Sequence, residues 1–231
     1  MPVAILAGGL ATRLRPVPER VPMSLLELNG EPFIAHQLRL LGSKGIRRVV
    51  LCVGFLGEMI RDTVRSGQGF GVEVEYSFDG AALLGTAGAI KNALPLLGET
   101  FLTLYGDSYL ACDYRAVAGA HEASGKLALM TVFHNRGRWD SSNVEFRGGE
   151  LLAYSKKSRV ASMEYIDYGL GAFKAGAFDR VAPGQAWDLA ELYAQLLAEG
   201  QLAGFEVRER FYEIGSADGL EETARFLAAK A

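Results

Sequence analysis

Short apolar runs alternate with longer stretches of helical periodicity through the first half of the chain. Val3-Ala4-Ile5-Leu6-Ala7 is continuously apolar and breaks at Gly8-Gly9, which predicts a buried strand. From Glu31 to Lys44, Phe33, Ile34, Leu38 and Leu41 recur at helical spacing, with Gly42 and Gly45 available to end the helix. Arg47 to Val53 returns to a strand, and a second helix is predicted from about Leu56 to Arg65. Val72 to Tyr76 alternates as a strand does, Thr86 to Leu94 is Ala-rich and helical as far as Pro95, and Phe101 to Tyr105 is strand-like again. Repeated βα units of this kind predict a mostly parallel sheet with helices on both faces.

The second half changes rhythm. After a helix near Tyr114 to Ala123 come strand candidates at Leu127 to Phe133, Asn143 to Arg147 and Leu151 to Tyr154, whose short links suit antiparallel pairing. A strand at Ile166 to Phe173, a helix at Ala186 to Ala198, a short strand at Phe211 to Ile214 and a helix from Ala217 follow. The expected sheet is therefore mixed. With 231 residues, 49% of them hydrophobic, and no repeat or linker, one domain over residues 1–231 is expected.

Charge narrows the function. The net charge of −3 arises from 24 basic and 27 acidic residues without a like-charge block, so no nucleic-acid partner is expected. The first residues enter an apolar run without a basic leader and reach glycines too soon for a signal peptide or a span, so the expectation is a cytoplasmic protein with no membrane partner. Cys52 and Cys112 lack metal-ligand spacing and are expected to be buried, reduced thiols.

Candidate chemistry begins where the first strand ends. Leu6-Ala7-Gly8-Gly9-Leu10-Ala11-Thr12-Arg13-Leu14-Arg15-Pro16 joins two glycines to two arginines. Glycines admit a ligand close to the backbone, exposed amides cradle phosphate oxygens, and guanidinium groups pair with them in bidentate fashion. Gly106-Asp107-Ser108 places a carboxylate just past another strand, at the edge where a parallel sheet binds ligands. Alone, each has a plainer reading: a tight turn at Gly8-Gly9, a turn or cap at Asp107.

The stretch Leu6 to Phe33, which includes Pro22-Met23-Ser24-Leu25, resembles the signature of the sugar-phosphate nucleotidyltransferases, LAGGxGTRLxP followed by PK[PS]L. The resemblance continues in Leu84-Gly85-Thr86-Ala87-Gly88-Ala89, in Asp107, in Asn143-Val144-Glu145-Phe146, in Tyr154-Ser155-Lys156-Lys157, in Ile166-Asp167-Tyr168-Gly169-Leu170, and in Tyr212-Glu213-Ile214-Gly215-Ser216. It implies a Rossmann-like three-layer α/β/α fold with a mixed, mostly parallel central sheet, and the synthesis of a nucleotide-sugar from an NTP and a sugar 1-phosphate with release of pyrophosphate.

By that resemblance, Leu6, Ala7, Gly8, Gly9, Thr12, Arg13, Gly85, Thr86 and Gly88 would bind the nucleotide. Asn143, Lys156, Lys157 and Asp167 would bind the sugar phosphate, Asp107 and Glu213 would hold Mg²⁺, and Arg13 and Asp107 would act in catalysis. GTP or UTP is the expected nucleotide, and a homo-oligomer is left open. The length is similar to that of the compact heptose 1-phosphate guanylyltransferases and N-acetylmuramate 1-phosphate uridylyltransferases, which points to a heptose or hexose for envelope polysaccharide.

The chain departs from the pattern at Met23, where the family has lysine, at Ala11 for glycine, at Lys156 for glutamate and at Glu213 for aspartate. Met23 opens an alternative, a catalytically impaired sugar-nucleotide-binding or regulatory relative. A glycosyltransferase on a similar fold would need an Asp-x-Asp motif, and this chain reads Gly106-Asp107-Ser108-Tyr109 there.

Overall fold

All four side chains of β1 (Val3–Leu6) are apolar, so both faces of the strand need cover. The computed structural model, which describes residues 1–9, 21–156 and 160–230, supplies helices on each side. In chain order the further elements are β2 (Glu27–Leu28), β3 (Glu31–Pro32), α1 (Phe33–Ser43), β4 (Arg48–Val53), α2 (Gly57–Val64), β5 (Glu73–Phe78), α3 (Gly85–Leu97), β6 (Thr100–Tyr105) and β7 (Ser108–Leu110). There follow α4 (Tyr114–Ser124), β8 (Ala128–His134), β9 (Val144–Arg147), β10 (Glu150–Tyr154), β11 (Tyr165–Lys174), α5 (Leu189–Ala198), β12 (Leu202–Val207), β13 (Phe211–Glu213) and α6 (Ala217–Ala228).

The main sheet runs β10-β9-β11-β6-β1-β4-β5, with β8 also paired to β11 and β12 joined to β8. The block β5-β4-β1-β6 is wholly parallel, as the βα rhythm requires. Beyond it β11 runs antiparallel to both β6 and β8, so the sheet is mixed. Alternation along the strands assigns the layers. Val3, Ile5, Val49, Leu51 and Val53 point to a core shared with Ile34 and Leu38 of α1, Ile60 of α2 and Val117 of α4. Ala4, Val50, Cys52 and Phe101 point to the other core, with Ile90 of α3 and Leu192 of α5. Each fully buried Leu or Val contributes about 1.5–3 kcal/mol, so both layers are held by the same pleat. This is the Rossmann-like α/β/α arrangement, and both cysteines are buried in it as free thiols.

β2, β3, β7 and β12 were not expected from the sequence, and three expected elements differ in detail. Helix α3 continues through Pro95 to Leu97, because Leu97 is buried against the sheet and Gly98 N–H closes the end on Leu94 O at 3.0 Å. The strand β8 pairs with β11 and β12 rather than with its neighbour in sequence; the local hairpin is β9–β10, closed by Gly148-Gly149, both at positive φ. Helix α5 starts at Leu189, three residues later than its apolar pattern suggests, because Asp188 accepts from Ala190 N–H as the cap.

Candidate functional site

Strands β1, β4, β5 and β6 all end on the same edge, and the segments leaving them enclose a cavity of about 410 Å³. Leu6, Ala7, Gly8 and Gly9 form one wall. A Cβ on Gly8 would lie 3.2 Å from Gly54 N, so the loop after β1 rests directly on the backbone after β4. Thr12 and Arg13 lie outside the described residues, as does Lys157. Met23 and Ser24 line the cavity from a 3-10 turn, Met23–Leu25. The Ser24 hydroxyl is buried there and meets no hydrogen-bond partner among the described residues.

The two acidic residues are brought together by a separate ribbon. β7 and β13 pair antiparallel with Glu213 opposite Ser108, and Ile214 N–H donates to Asp107 O at 3.0 Å. The corner before β7 is fixed from beneath by buried Gln37, whose Nε2 donates to Tyr105 O at 2.9 Å and Ser108 O at 2.6 Å. A Cβ added to Gly215 would stand 2.7 Å from Glu213 Oε2 and 3.7 Å from Asp107 Oδ2, so both carboxylates converge on that glycine.

Their other contacts differ. Asp107 Oδ1 accepts from Ser108 Oγ at 3.0 Å, while Glu213 receives Gly215 N–H at 2.5 Å and Ser216 Oγ at 2.8 Å, one on each oxygen. Among the described residues no three His, Cys, Asp or Glu side chains gather as a metal cage. Two carboxylates nevertheless suit Mg²⁺, which completes its shell with phosphate oxygens and water. Of the hydrogen bonds above, the Asp107 carboxylate accepts one and the Glu213 carboxylate two.

A second cluster adjoins the cavity at Tyr105. Between Asp167 and Gly171 the β11–β8 ladder loses register, and Gly169 sits at φ +94°, so β11 bulges away from β8 here. Asp167 accepts Gly169 N–H at 3.1 Å and faces the Tyr154 hydroxyl at 3.4 Å, while its own N–H donates to Asn143 Oδ1 at 2.9 Å. Burial pushes the Asp167 carboxyl up, and the Lys156 ammonium pulls it back. Lys156 Nζ lies 3.9 Å from Asp188 Oδ1 and 5.8 Å from the centre of the Tyr105 ring. Asn143, Lys156 and Asp167, read separately from the sequence, are thus one group.

The glycine-rich segment divides. Gly85 and Thr86 line the cavity, whereas Gly88 faces the 185–187 segment. The Thr86 hydroxyl is not the cap of its own helix; it accepts Leu189 N–H at 2.6 Å and lies 3.4 Å from Asp188 Oδ1, joining α3 to α5. A Cβ on Gly88 would fall 2.3 Å from Gln185 O. Gly88→Ala is therefore expected to cost about 2 kcal/mol through overpacking, which lowers the thermal midpoint by roughly 5 °C. Differential scanning calorimetry checks this, and an unchanged midpoint would refute the packing role.

Sequence reading did not single out Asp79, Tyr105 or Asp188. Asp79 and Asp107 share a signal, a carboxylate one or two residues past a parallel strand, and applying it evenly would have found both.

The geometry can be set beside known proteins. The chain is 29% identical over 217 residues to the UTP–glucose-1-phosphate uridylyltransferase of Synechocystis sp., covering 87% of this chain and 56% of that protein. It is 27% identical over 250 residues to the N-acetylmuramate alpha-1-phosphate uridylyltransferase of Neisseria meningitidis serogroup B, covering 99% of each. It thus spans little more than half of the first relative and nearly all of the second. HddC from Yersinia pseudotuberculosis complexed with GMP-PN has the same fold, with a TM-score of 0.80 at 21% identity over 98% of this chain and 99% of that one. The family description Nucleotidyl transferase matches residues 3–230, a stretch that includes every wall of the cavity. On that match, the chain belongs to the nucleotidyl transferase family.

Proposed function

We propose that this protein transfers the nucleotidyl group of an NTP to a sugar 1-phosphate. The observation that carries the reading is the convergence of Asp107 and Glu213 on Gly215, at the wall of a cavity that the Gly8-Gly9 loop also lines and that the Asn143, Lys156 and Asp167 group adjoins at Tyr105. Asp107, with Glu213 beside it, would hold Mg²⁺, which when bound neutralises charge on the triphosphate and on the departing pyrophosphate.

The chain's own groups orient the partners. Gly8 and Gly9 let the triphosphate approach the backbone, and Arg13 is assigned to its charge. Lys156 and Lys157 hold the sugar phosphate, with Asn143 and Asp167 facing the sugar hydroxyls. An oxygen of the sugar phosphate then attacks the α-phosphorus, a new P–O bond forms, and the bond to the β-phosphate breaks to release pyrophosphate. Alignment of this in-line pair is the main contribution of binding.

Relatives named for glucose 1-phosphate and N-acetylmuramate 1-phosphate support a hexose or similar sugar bound for envelope polysaccharide. No described helix is long and apolar enough to cross a membrane, and we assign the reaction to the cytoplasm, where NTPs are held, within one domain. Pyrophosphate release, measured over a matrix of NTPs and sugar 1-phosphates with Mg²⁺, is expected for one base and one or a few sugars. Nucleotide binding with no release from any pair would instead support a sugar-nucleotide-binding regulator, the reading that apolar Met23 in the cavity wall favours.

A further inference from the structure

The sugar side and the acidic side of the site are carried by segments far apart in sequence. Asn143 is reached through the segment 135–142, which leaves the end of β8, and Glu213 closes β13. Segment 135–142 is built as a unit around buried Asn135. Asn135 Nδ2 donates to Asp140 O and to Ser142 Oγ at 3.3 Å, its Oδ1 accepts Trp139 N–H at 3.2 Å, and Arg138 N–H returns to Asn135 O at 3.1 Å. The segment runs straight into the sugar side. Asn143 N–H donates to Tyr165 O at 2.9 Å, and Asn143 Oδ1 accepts Asp167 N–H at 2.9 Å. Displacing Trp139 therefore displaces Asn143 and Asp167.

Trp139 keeps 43% of its surface exposed, too much for a ring whose task is to fill a core. Its face is taken by Arg210. The guanidinium carbon lies 3.3 Å from the centre of the Trp139 ring and 4.8 Å from that of Tyr212, and the same group pairs with Glu222 of α6. Only 24% of the Arg210 side chain is exposed, and a cation over a ring counts for more as water is removed. A planar guanidinium can lie flat on a ring while it pairs with a carboxylate; an ammonium is a compact point charge. Tyr212 stacks on Phe226 of α6 with ring centres 3.8 Å apart, one residue before Glu213. Arg210 thus touches segment 135–142, β13 and α6 at once, and it is not among the residues that line the cavity.

We propose that Arg210 is a positioning residue that fixes segment 135–142 to β13 and α6, so that the sugar-side group and Glu213 keep one relative placement. It acts through Trp139 on one side and through β13 on the other. In-line transfer is sensitive to such placement, since a shift of about 1 Å costs on the order of 10²-fold. The inference deepens the proposed nucleotidyl transfer and rests on it.

The test is steady-state pyrophosphate release by the whole protein, with GTP or UTP and with glucose, mannose or N-acetylmuramate 1-phosphate, beside a melting curve for each variant. Trp139→Leu frees the segment alone and is expected to raise KM for the sugar 1-phosphate about tenfold, with KM for the NTP and the Mg²⁺ half-saturation kept. Arg210→Met frees β13 as well, so the Mg²⁺ half-saturation rises too, by about threefold. Arg210→Lys retains a cation for Glu222 without the flat stack; it should recover the Mg²⁺ dependence and still show the weakened sugar KM. The double variant Trp139→Leu with Arg210→Met should be no worse for the sugar than Arg210→Met, because both changes break one link. Trp139→Leu alters an exposed ring, so it remains informative if Arg210→Met does not fold. A sugar KM unchanged in Trp139→Leu and Arg210→Lys, additive losses in the double variant, or a lowered melting midpoint with every kinetic constant kept would overturn the coupling and leave nucleotidyl transfer intact. A wild-type protein that releases no pyrophosphate from any of these pairs would remove both.

Discussion

Asp107→Asn is expected to lower the turnover of pyrophosphate release on the order of 10³-fold without unfolding the protein. Asparagine keeps the size of the side chain and the acceptor for Ser108 Oγ, so the corner between β6 and β7 retains its shape. What it loses is the charge on the carboxylate with fewer hydrogen bonds. Glu213 is a poor substitute because each of its oxygens already receives a hydrogen bond from the turn that starts α6. Removing one of two neighbouring negative charges also relieves repulsion, so the metal-free thermal midpoint should stay level or rise. Steady-state kinetics with a Mg²⁺ titration, beside a melting curve, decides the matter; a loss below tenfold at saturating Mg²⁺ would take Asp107 out of the catalytic role.

The second large effect has the opposite sign. Met23→Lys is expected to raise turnover by roughly 10²-fold, the usual worth of one preorganised electrostatic donor at a reacting phosphate. Met23 sits in the cavity wall, and its backbone is held by Leu25 N–H to Pro22 O at 2.9 Å and Leu26 N–H to Met23 O at 3.1 Å. Methionine and lysine are both unbranched, so the exchange adds a cation with little change in shape. Met23→Leu, which keeps the site neutral, should leave the rate near that of the parent. If lysine brings no gain, the positive charge the reaction needs is already provided by other residues.

The parallel half of the fold was legible because β1, β4 and β6 are buried on both faces, β5 alternates as a one-sided edge strand, and the helices carry one apolar stripe, patterns that hardly overlap. The ribbon was harder. Phe211 to Ile214 reads as a strand on its own, but β7 is three residues long and its pairing with β13 spans a hundred residues, which no local pattern records. β12 escaped for a related reason: Ala203, Gly204 and Phe205 in its centre are all part-buried, so Leu202 to Val207 lacks a clean inside-outside alternation.

At the site, motif reading located residues without their orientations. Gly85, Thr86 and Gly88 are adjacent in one motif, yet Gly88 packs against backbone while Gly85 and Thr86 reach the cavity. Asp79 went unread because no familiar motif contains it, although its position past β5 parallels that of Asp107.

The β7–β13 ribbon also sets the order in which the protein becomes competent during synthesis. β1, β4, β5 and β6, with the loops that wall the cavity, are complete by residue 107, whereas Glu213 and Gly215 arrive about a hundred residues later. A nascent chain paused between these points could pair its parallel strands and still hold Asp107 without its partner carboxylate. Contacts so distant in sequence close slowly. Metal-dependent nucleotide capture should therefore begin only when β13 has left the ribosome.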